Sequence, residues 1–162
     1  MDDTRQSDPK TVIERSYATS IDDIWKLWTT REGIESWWGP EGFSVKVHQL
    51  DLQPGGEMRY VMTAVHAPQI EFMQRAGMPV TTEAKLAYTA IVPEESLAYL
   101  HRVDFAPGIP PYDAGTKVEF LADGPNVRIV LTLDPMHNDE WTRRSVMGME
   151  SQLAKLTQAA RK

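Results

Sequence analysis

Between Phe43 and Leu133 the chain carries six strand-like runs, and only one later segment, 139 to 160, is long enough to cover the sheet they would make. The runs are 43 to 50, 57 to 63, 85 to 92, 97 to 105, 116 to 121 and 127 to 133, each rich in β-branched, aromatic or alternating apolar residues. Several are separated by turn chemistry: Pro54-Gly55-Gly56, Pro93-Glu94-Glu95 and Asp123-Gly124-Pro125-Asn126. Separators this short join antiparallel neighbours. A seventh run, 11 to 17, precedes them. An antiparallel sheet of this kind must bury one face, so it is expected to curl around the last segment. That segment places Trp141, Met149, Leu153 and Leu156 within one broad stripe of an amphipathic helix.

Two short helices are expected between the first two strands. Ser20 followed by Asp23 supplies a helix start, and Ile21, Ile24, Trp25, Leu27 and Trp28 fall at helical spacing. The second helix, about 31 to 38, should stop at Gly39-Pro40, where glycine allows a left-handed cap and proline cannot continue the ladder. Its tandem indoles, Trp37 and Trp38, lie about 100° apart around the axis. One ring can then enter the core while the other covers an opening.

Composition narrows the function classes. The 162 residues suit one domain, expected over 11–162 behind a disordered polar tail at 1–10. That tail lacks the basic and apolar pattern of a secretory signal, so a cytoplasmic protein is expected. With no cysteine, disulfides and thiolate chemistry are excluded. A net charge of −6 without a basic run gives no general attraction for nucleic acid or for an anionic membrane. Neither is an expected partner.

The element order, Trp37-Trp38-Gly39-Pro40, the Asp51-Leu-Gln-Pro54-Gly55-Gly56 turn and the glycine in the last helix together resemble the SRPBCC superfamily of START-like proteins. Within it, the chain is similar to the branch of heat-shock-protein ATPase activator homologues. The resemblance implies an α+β helix-grip fold, a curved antiparallel sheet wrapped around a long carboxyl-terminal helix, over nearly the whole chain. Three departures stand out. Gln53 occupies a place where the branch often has arginine, Gly148-Met149 replaces a Gly-Trp pair, and the 64 to 84 connection is longer than in a minimal member. Residues 68 to 78 of that connection read as an extra short helix or flap ending at Gly77.

Alternation gives an inward set: Met58, Tyr60 and Met62; Leu86, Tyr88 and Ala90; Tyr99, His101, Val103 and Phe105. The helix can offer Trp141, Ser145, Gly148, Met149 and Gln152 opposite them. From these sets and the flap come the candidate ligand-binding residues. They are Trp37, Trp38, Met58, Tyr60 and Met62; Phe72, Met73, Tyr88, Tyr99 and His101; and Trp141, Ser145 and Met149. His101 is the best single candidate for acid-base work, provided a carboxylate from elsewhere orients it, since Asp104, three residues on, cannot share its face in a regular strand. No catalytic residue is assigned. His48, His66 and His137 lack paired spacing, so neither a metal site nor a cofactor is expected. No nucleophile elbow or phosphate loop is present. Arg59 and Arg102 should face away from the apolar side unless a bulge reverses them.

The expected function is binding of a hydrophobic or amphipathic small molecule between sheet and last helix. Two alternatives use the same fold: an enzyme of the cyclase, dehydratase or hydrolase kind, and a co-chaperone-like module acting on a heat-shock-protein ATPase. Apolar Ile70, Phe72, Met73 and Met78 should close over the cavity or bury themselves in a homodimer contact.

Overall fold

The computed structural model describes residues 10 to 160 except 105 and 107. Phe105 and nearly all of the expected tail lie outside that set. The elements run β1 (Thr11–Tyr17), α1 (Ile21–Thr29), α2 (Arg31–Glu35), β2 (Phe43–Leu50), β3 (Glu57–Ala64), α3 (Ala67–Arg75), β4 (Thr81–Val92), β5 (Ser96–Val103), β6 (Tyr112–Asp123), β7 (Asn126–Leu133) and α4 (Asp139–Ala160). This is the expected α+β arrangement, with the added helix in the long connection. One seven-stranded antiparallel sheet has the order β1-β7-β6-β5-β4-β3-β2. Bulges between Val47 and Gln49 and between Tyr88 and Ala90 interrupt the register, and such bulges bend a sheet.

Local chemistry explains the boundaries. Ser20 accepts the Asp23 N–H at 3.1 Å and starts α1, while Thr30 does the same for Gly33 at 3.0 Å and starts α2. α2 ends at Glu35, earlier than expected, because Trp37 and Trp38 continue as a tight turn rather than a helix. Gly39 then takes φ +87°, a left-handed conformation that frees the chain to leave the helix direction. β4 and β6 both begin earlier than their own sequences suggest. Thr81 pairs with Thr63, and Asp113, Ala114 and Gly115 pair with Arg102, His101 and Leu100. Pairing with a neighbour overrides weak local preference there.

At its outer edge, β2 is guarded by α2. Arg31 donates to the Val47 carbonyl, and the Glu35 carboxylate accepts the Val47 N–H at 2.7 Å. At Val47 the outward backbone groups of that edge strand are therefore already occupied.

The core is aromatic at its centre. Trp28, Trp37 and Trp38 meet edge-to-face with ring centroids 4.6, 5.7 and 5.1 Å apart, and Phe120 closes on Trp28 at 5.9 Å. Each such pair adds about 0.5–1.5 kcal/mol beyond area burial. Trp37 is fully buried and its indole N–H donates to the Leu27 carbonyl at 2.7 Å, which satisfies a helix-end acceptor. From α4, only Gln152, Leu153 and Leu156 are buried. The closed part of the interior lies under this carboxyl-terminal half.

That half of α4 also grips the loop after the tandem tryptophans. Gly39 N–H donates to Gln152 Oε1 at 3.0 Å, and Glu41 N–H donates to Ser151 Oγ at 2.8 Å. The Lys155 ammonium donates to the carbonyls of Trp38, Gly39 and Phe43 at 3.3, 3.2 and 3.1 Å. Partial burial lowers its pKa, opposed by nearby Glu41. Charge-assisted hydrogen bonds are among the stronger ones, and a missing donor would leave three carbonyls short. Lys155→Met, which keeps the apolar stem, should destabilise the protein by about 2 kcal/mol. Urea titration checks this, and Lys155→Arg should recover part of the loss.

Candidate functional site

Toward its amino-terminal half, α4 lifts away from the sheet. Trp141, Ser145, Gly148 and Met149 are only partly buried, Met149 resting against the edge of the core, and together with β3, β4, β5 and the 39–43 loop they bound a space of about 770 Å³. The walls are largely apolar. Gly148 explains part of the opening, since a Cβ added there would meet nothing within 4 Å.

The candidate residues divide by depth. Trp38, Tyr60, Met62, Met73 and His101 line the space from the sheet, loop and α3 side, and Trp141, Ser145 and Met149 line it from α4. Met58, Tyr88 and Tyr99 share the same sheet face but stand farther in, beside Trp28 and Ile34, in a seam with essentially no free volume. Trp37 belongs wholly to the core. On α3, Met73 turns inward and is buried, whereas Phe72, one residue before it, remains 59% exposed. Gly39, Pro40, Phe43 and Thr116 also border the space. Their place follows from the loop clamp and from cross-strand position, for which the sequence carries no local signal.

The polar centre of the sheet wall is Tyr60 with His101. Tyr60 Oη lies 3.1 Å from His101 Nε2, with β4 running between their two strands. This tyrosine takes the orienting place that sequence reasoning left open for a carboxylate. Burial raises the Tyr60 pKa to about 12, with Trp38 acting in the opposite direction. Burial lowers the His101 pKa from 6.5. Both groups are therefore neutral near pH 7. Tyr99, whose ring centroid is 6.3 Å from that of His101, is buried, and burial raises its pKa strongly. Its hydroxyl faces Thr116 without a hydrogen bond of ordinary geometry among the described residues.

Near the start of α4, a second polar group fixes the helix end. Asn138 Oδ1 accepts the Trp141 N–H at 2.8 Å, and Thr142 Oγ1 accepts the Met136 N–H at 2.8 Å. Tyr112 Oη accepts the His137 N–H at 3.2 Å and lies 2.7 Å from His137 Nδ1.

The charged residues around the opening are mostly engaged. Arg59 and Arg102 alternate with the inward residues of their strands, border the space at its exposed margin, and pair with Glu57 at 2.9 Å and Asp113 at 3.5 Å. Arg144 pairs with Glu140 at 2.7 Å and lies over the Trp141 ring at 5.2 Å. Among the described residues no group of three or more His, Cys, Asp or Glu could hold a metal ion. Among them, also, no helix is long and apolar enough to cross a membrane.

Comparison with known proteins fits this geometry. The model of the family described as Activator of Hsp90 ATPase homolog 1-like protein matches residues 18–161. A crystal structure of a Chromobacterium violaceum protein is similar with a TM-score of 0.73 at 20% identity, covering 95% of this chain and 98% of that one. The AHSA1 protein of Silicibacter pomeroyi gives 0.71 at 20% identity, covering 91% and 94%. An Arthrobacter aurescens protein solved by NMR gives 0.74 at 15% identity, covering 98% and 89%. At such identities the likeness concerns the fold. No curated protein matches the chain.

The lowered pKa of His101 makes stability depend on pH with a definite sign. Between 6.5 and the lower folded-state value the unfolded chain binds more protons than the folded one, so this contribution is complete above pH 6.5 and is lost as pH falls. Denaturation at stepped pH should show wild type losing stability below 6.5 relative to His101→Gln. Wild type losing stability relative to the variant as pH rises through this range would contradict the assigned burial.

Proposed function

The chain belongs to the Activator of Hsp90 ATPase homolog 1-like family, and from that premise we propose that it binds a hydrophobic or amphipathic small molecule between the sheet and the first turns of α4. The observation that carries the reading is the open space of about 770 Å³ in an otherwise close-packed interior. Ligand sites commonly measure about 300–1,000 Å³, with apolar walls and a few convergent polar groups. Met62, Met73 and Met149 supply adaptable apolar surface, and Trp38 and Trp141 supply rigid faces.

The chemistry of Tyr60 and His101 favours holding over turnover. Burial pushes the tyrosine up to about 12 and the histidine below its ordinary value, so the first is a weaker acid and the second a weaker base than in water. An efficient proton-transfer pair near neutrality is tuned the other way. As neutral hydrogen-bonding partners they orient a ligand.

Gly148 gives the reading a sharp test. Glycine within a helix is about 1 kcal/mol less favourable than alanine, and here it leaves room that a side chain could occupy without collision. Gly148→Leu should therefore stabilise the unliganded protein by about 0.5–1 kcal/mol while filling the space. Native mass spectrometry of protein taken directly from cells should show a retained non-covalent mass in wild type and its loss in the variant. An unladen wild type that also fails to bind anilinonaphthalene sulfonate would reject the binding function.

A further inference from the structure

The innermost polar group of the cavity is a side chain that the fold uses only by half. Gln152 is 7% exposed, and its Oε1 accepts the Gly39 N–H at 3.0 Å. A backbone N–H can be met only by the amide oxygen, so this bond fixes the orientation of the carboxamide and turns its NH₂ the other way. There the nitrogen finds only the Met149 sulfur, at 4.0 Å. A thioether is a weak acceptor, and the second N–H has no partner among the described residues. Leaving such a donor in an apolar setting costs about 1–3 kcal/mol.

The same inner end holds the other neutral polar groups. Trp38 adjoins Gly39, its ring centroid lies 6.2 Å from that of Tyr60, and Tyr60 meets His101. Met62 comes against Gly39 from the sheet, within 3.5 Å of where a Cβ would stand. Gln152, Trp38 and the Tyr60–His101 pair thus border the same end of the space, with the Met149 sulfur beside Gln152 and Met62 beside Gly39. None of these groups carries charge near neutrality. The nearby cations are engaged: Arg59, Arg102 and Arg144 each pair with a carboxylate, and the Lys155 ammonium is taken up by the Trp38, Gly39 and Phe43 carbonyls.

We propose that the inner end of the cavity receives an uncharged oxygen-bearing group, a carbonyl or hydroxyl on an otherwise apolar molecule, held by the Gln152 amide N–H and the Tyr60–His101 pair. This rests on the binding function proposed above and specifies its ligand class. The amide supplies a donor only. The tyrosine and neutral histidine can present either a donor or an acceptor, by rotation of the hydroxyl and choice of tautomer. A carboxylate would satisfy the amide equally well, but the Lys155 donors are spent on three backbone carbonyls, so it would arrive without a cation free to meet it and would lose its hydration. An ammonium would face the amide donor directly.

Four ten-carbon probes differing only at the head separate these cases: 1-decanol, 2-decanone, decanoate and decylamine, titrated at pH 7.5 against the fluorescence of the cavity tryptophans. The alcohol and the ketone should bind at least about tenfold more tightly than either ion, a difference of about 1.4 kcal/mol. Gln152→Glu keeps an acceptor for Gly39 N–H and removes the donor. It should weaken the ketone by about tenfold and the alcohol, which can donate to the new carboxylate, distinctly less. Tyr60→Phe should weaken both neutral probes while circular dichroism remains unchanged. Equal affinity across the four heads, or tightest binding of decanoate, would overturn the assignment of the inner end and leave the binding function standing. Failure of all four to bind, with wild type and Gly148→Leu indistinguishable toward anilinonaphthalene sulfonate, would remove both.

Discussion

The face of α4 that carries Ser151, Gln152 and Lys155 holds the loop after the tandem tryptophans, and the position of that loop decides which part of the interior is packed. Three backbone carbonyls converge on one ammonium, and two backbone N–H groups are met by neighbouring side chains. These groups close the turn from Trp38 to Phe43, where a left-handed glycine has ended helical bonding and left backbone groups to be satisfied. Held there, Trp38 has the core indoles on one side and the open space on the other. Sliding α4 by one turn would break all five bonds together.

From this clamp the interior divides along the length of the sheet. Beneath the carboxyl-terminal half of α4, Leu153 and Leu156 meet a closely packed interior, and Tyr17 Oη donates to the Leu153 carbonyl at 3.3 Å. Farther toward the helix start, Met149, Gly148 and Ser145 border the space, two of them small and one flexible, before Trp141 closes its outer end. The large rings that would close the gap are already committed elsewhere: Trp28 and Trp37 to each other, Tyr88 and Tyr99 to the seam beside them. Close packing at one end and space at the other come from the same strands.

Much of this was legible in the sequence because alternation in a strand and the stripe on a helix report directionality. Strands 11 to 17 and 43 to 50 and helix 139 to 160 begin and end where their patterns do. What alternation cannot report is depth. Met58, Tyr60 and Met62 lie on one face at spacing two, yet the first sits in the seam and the others border the space, since that depends on where α4 crosses. Phe72 and Met73 illustrate a related loss: one residue turns a helical side chain by about 100°, and a single short stripe does not fix the phase. The early start of β6 at Tyr112 was hidden for another reason. Ala114 and Gly115 have little strand preference of their own and are extended by pairing with β5. His101 was visible as an inward polar residue, but its partner Tyr60, across an intervening strand, emerges only once three strands are in register.

The amino-terminal half of α4 has no fully buried residue; Val146 and Met149 rest against the edge of the core, and its other supports are at the margins. Asn138 caps the first turn, Thr142 reaches back to Met136, and Tyr112 holds the backbone and ring of His137. Arg15 on β1 pairs with Glu150 at 3.5 Å, an exposed contact worth at most about 1 kcal/mol. A helix built this way is fixed at its first turn and along its second half, and lightly held between. The lightly held turns are the ones that carry Ser145, Gly148 and Met149 over the opening. Movement there would change the size of the space without disturbing the tryptophan core, because Gln152 and Lys155 lie beyond it and keep the loop closed. One helix thus completes the closed core with its second half and borders the open space with its first.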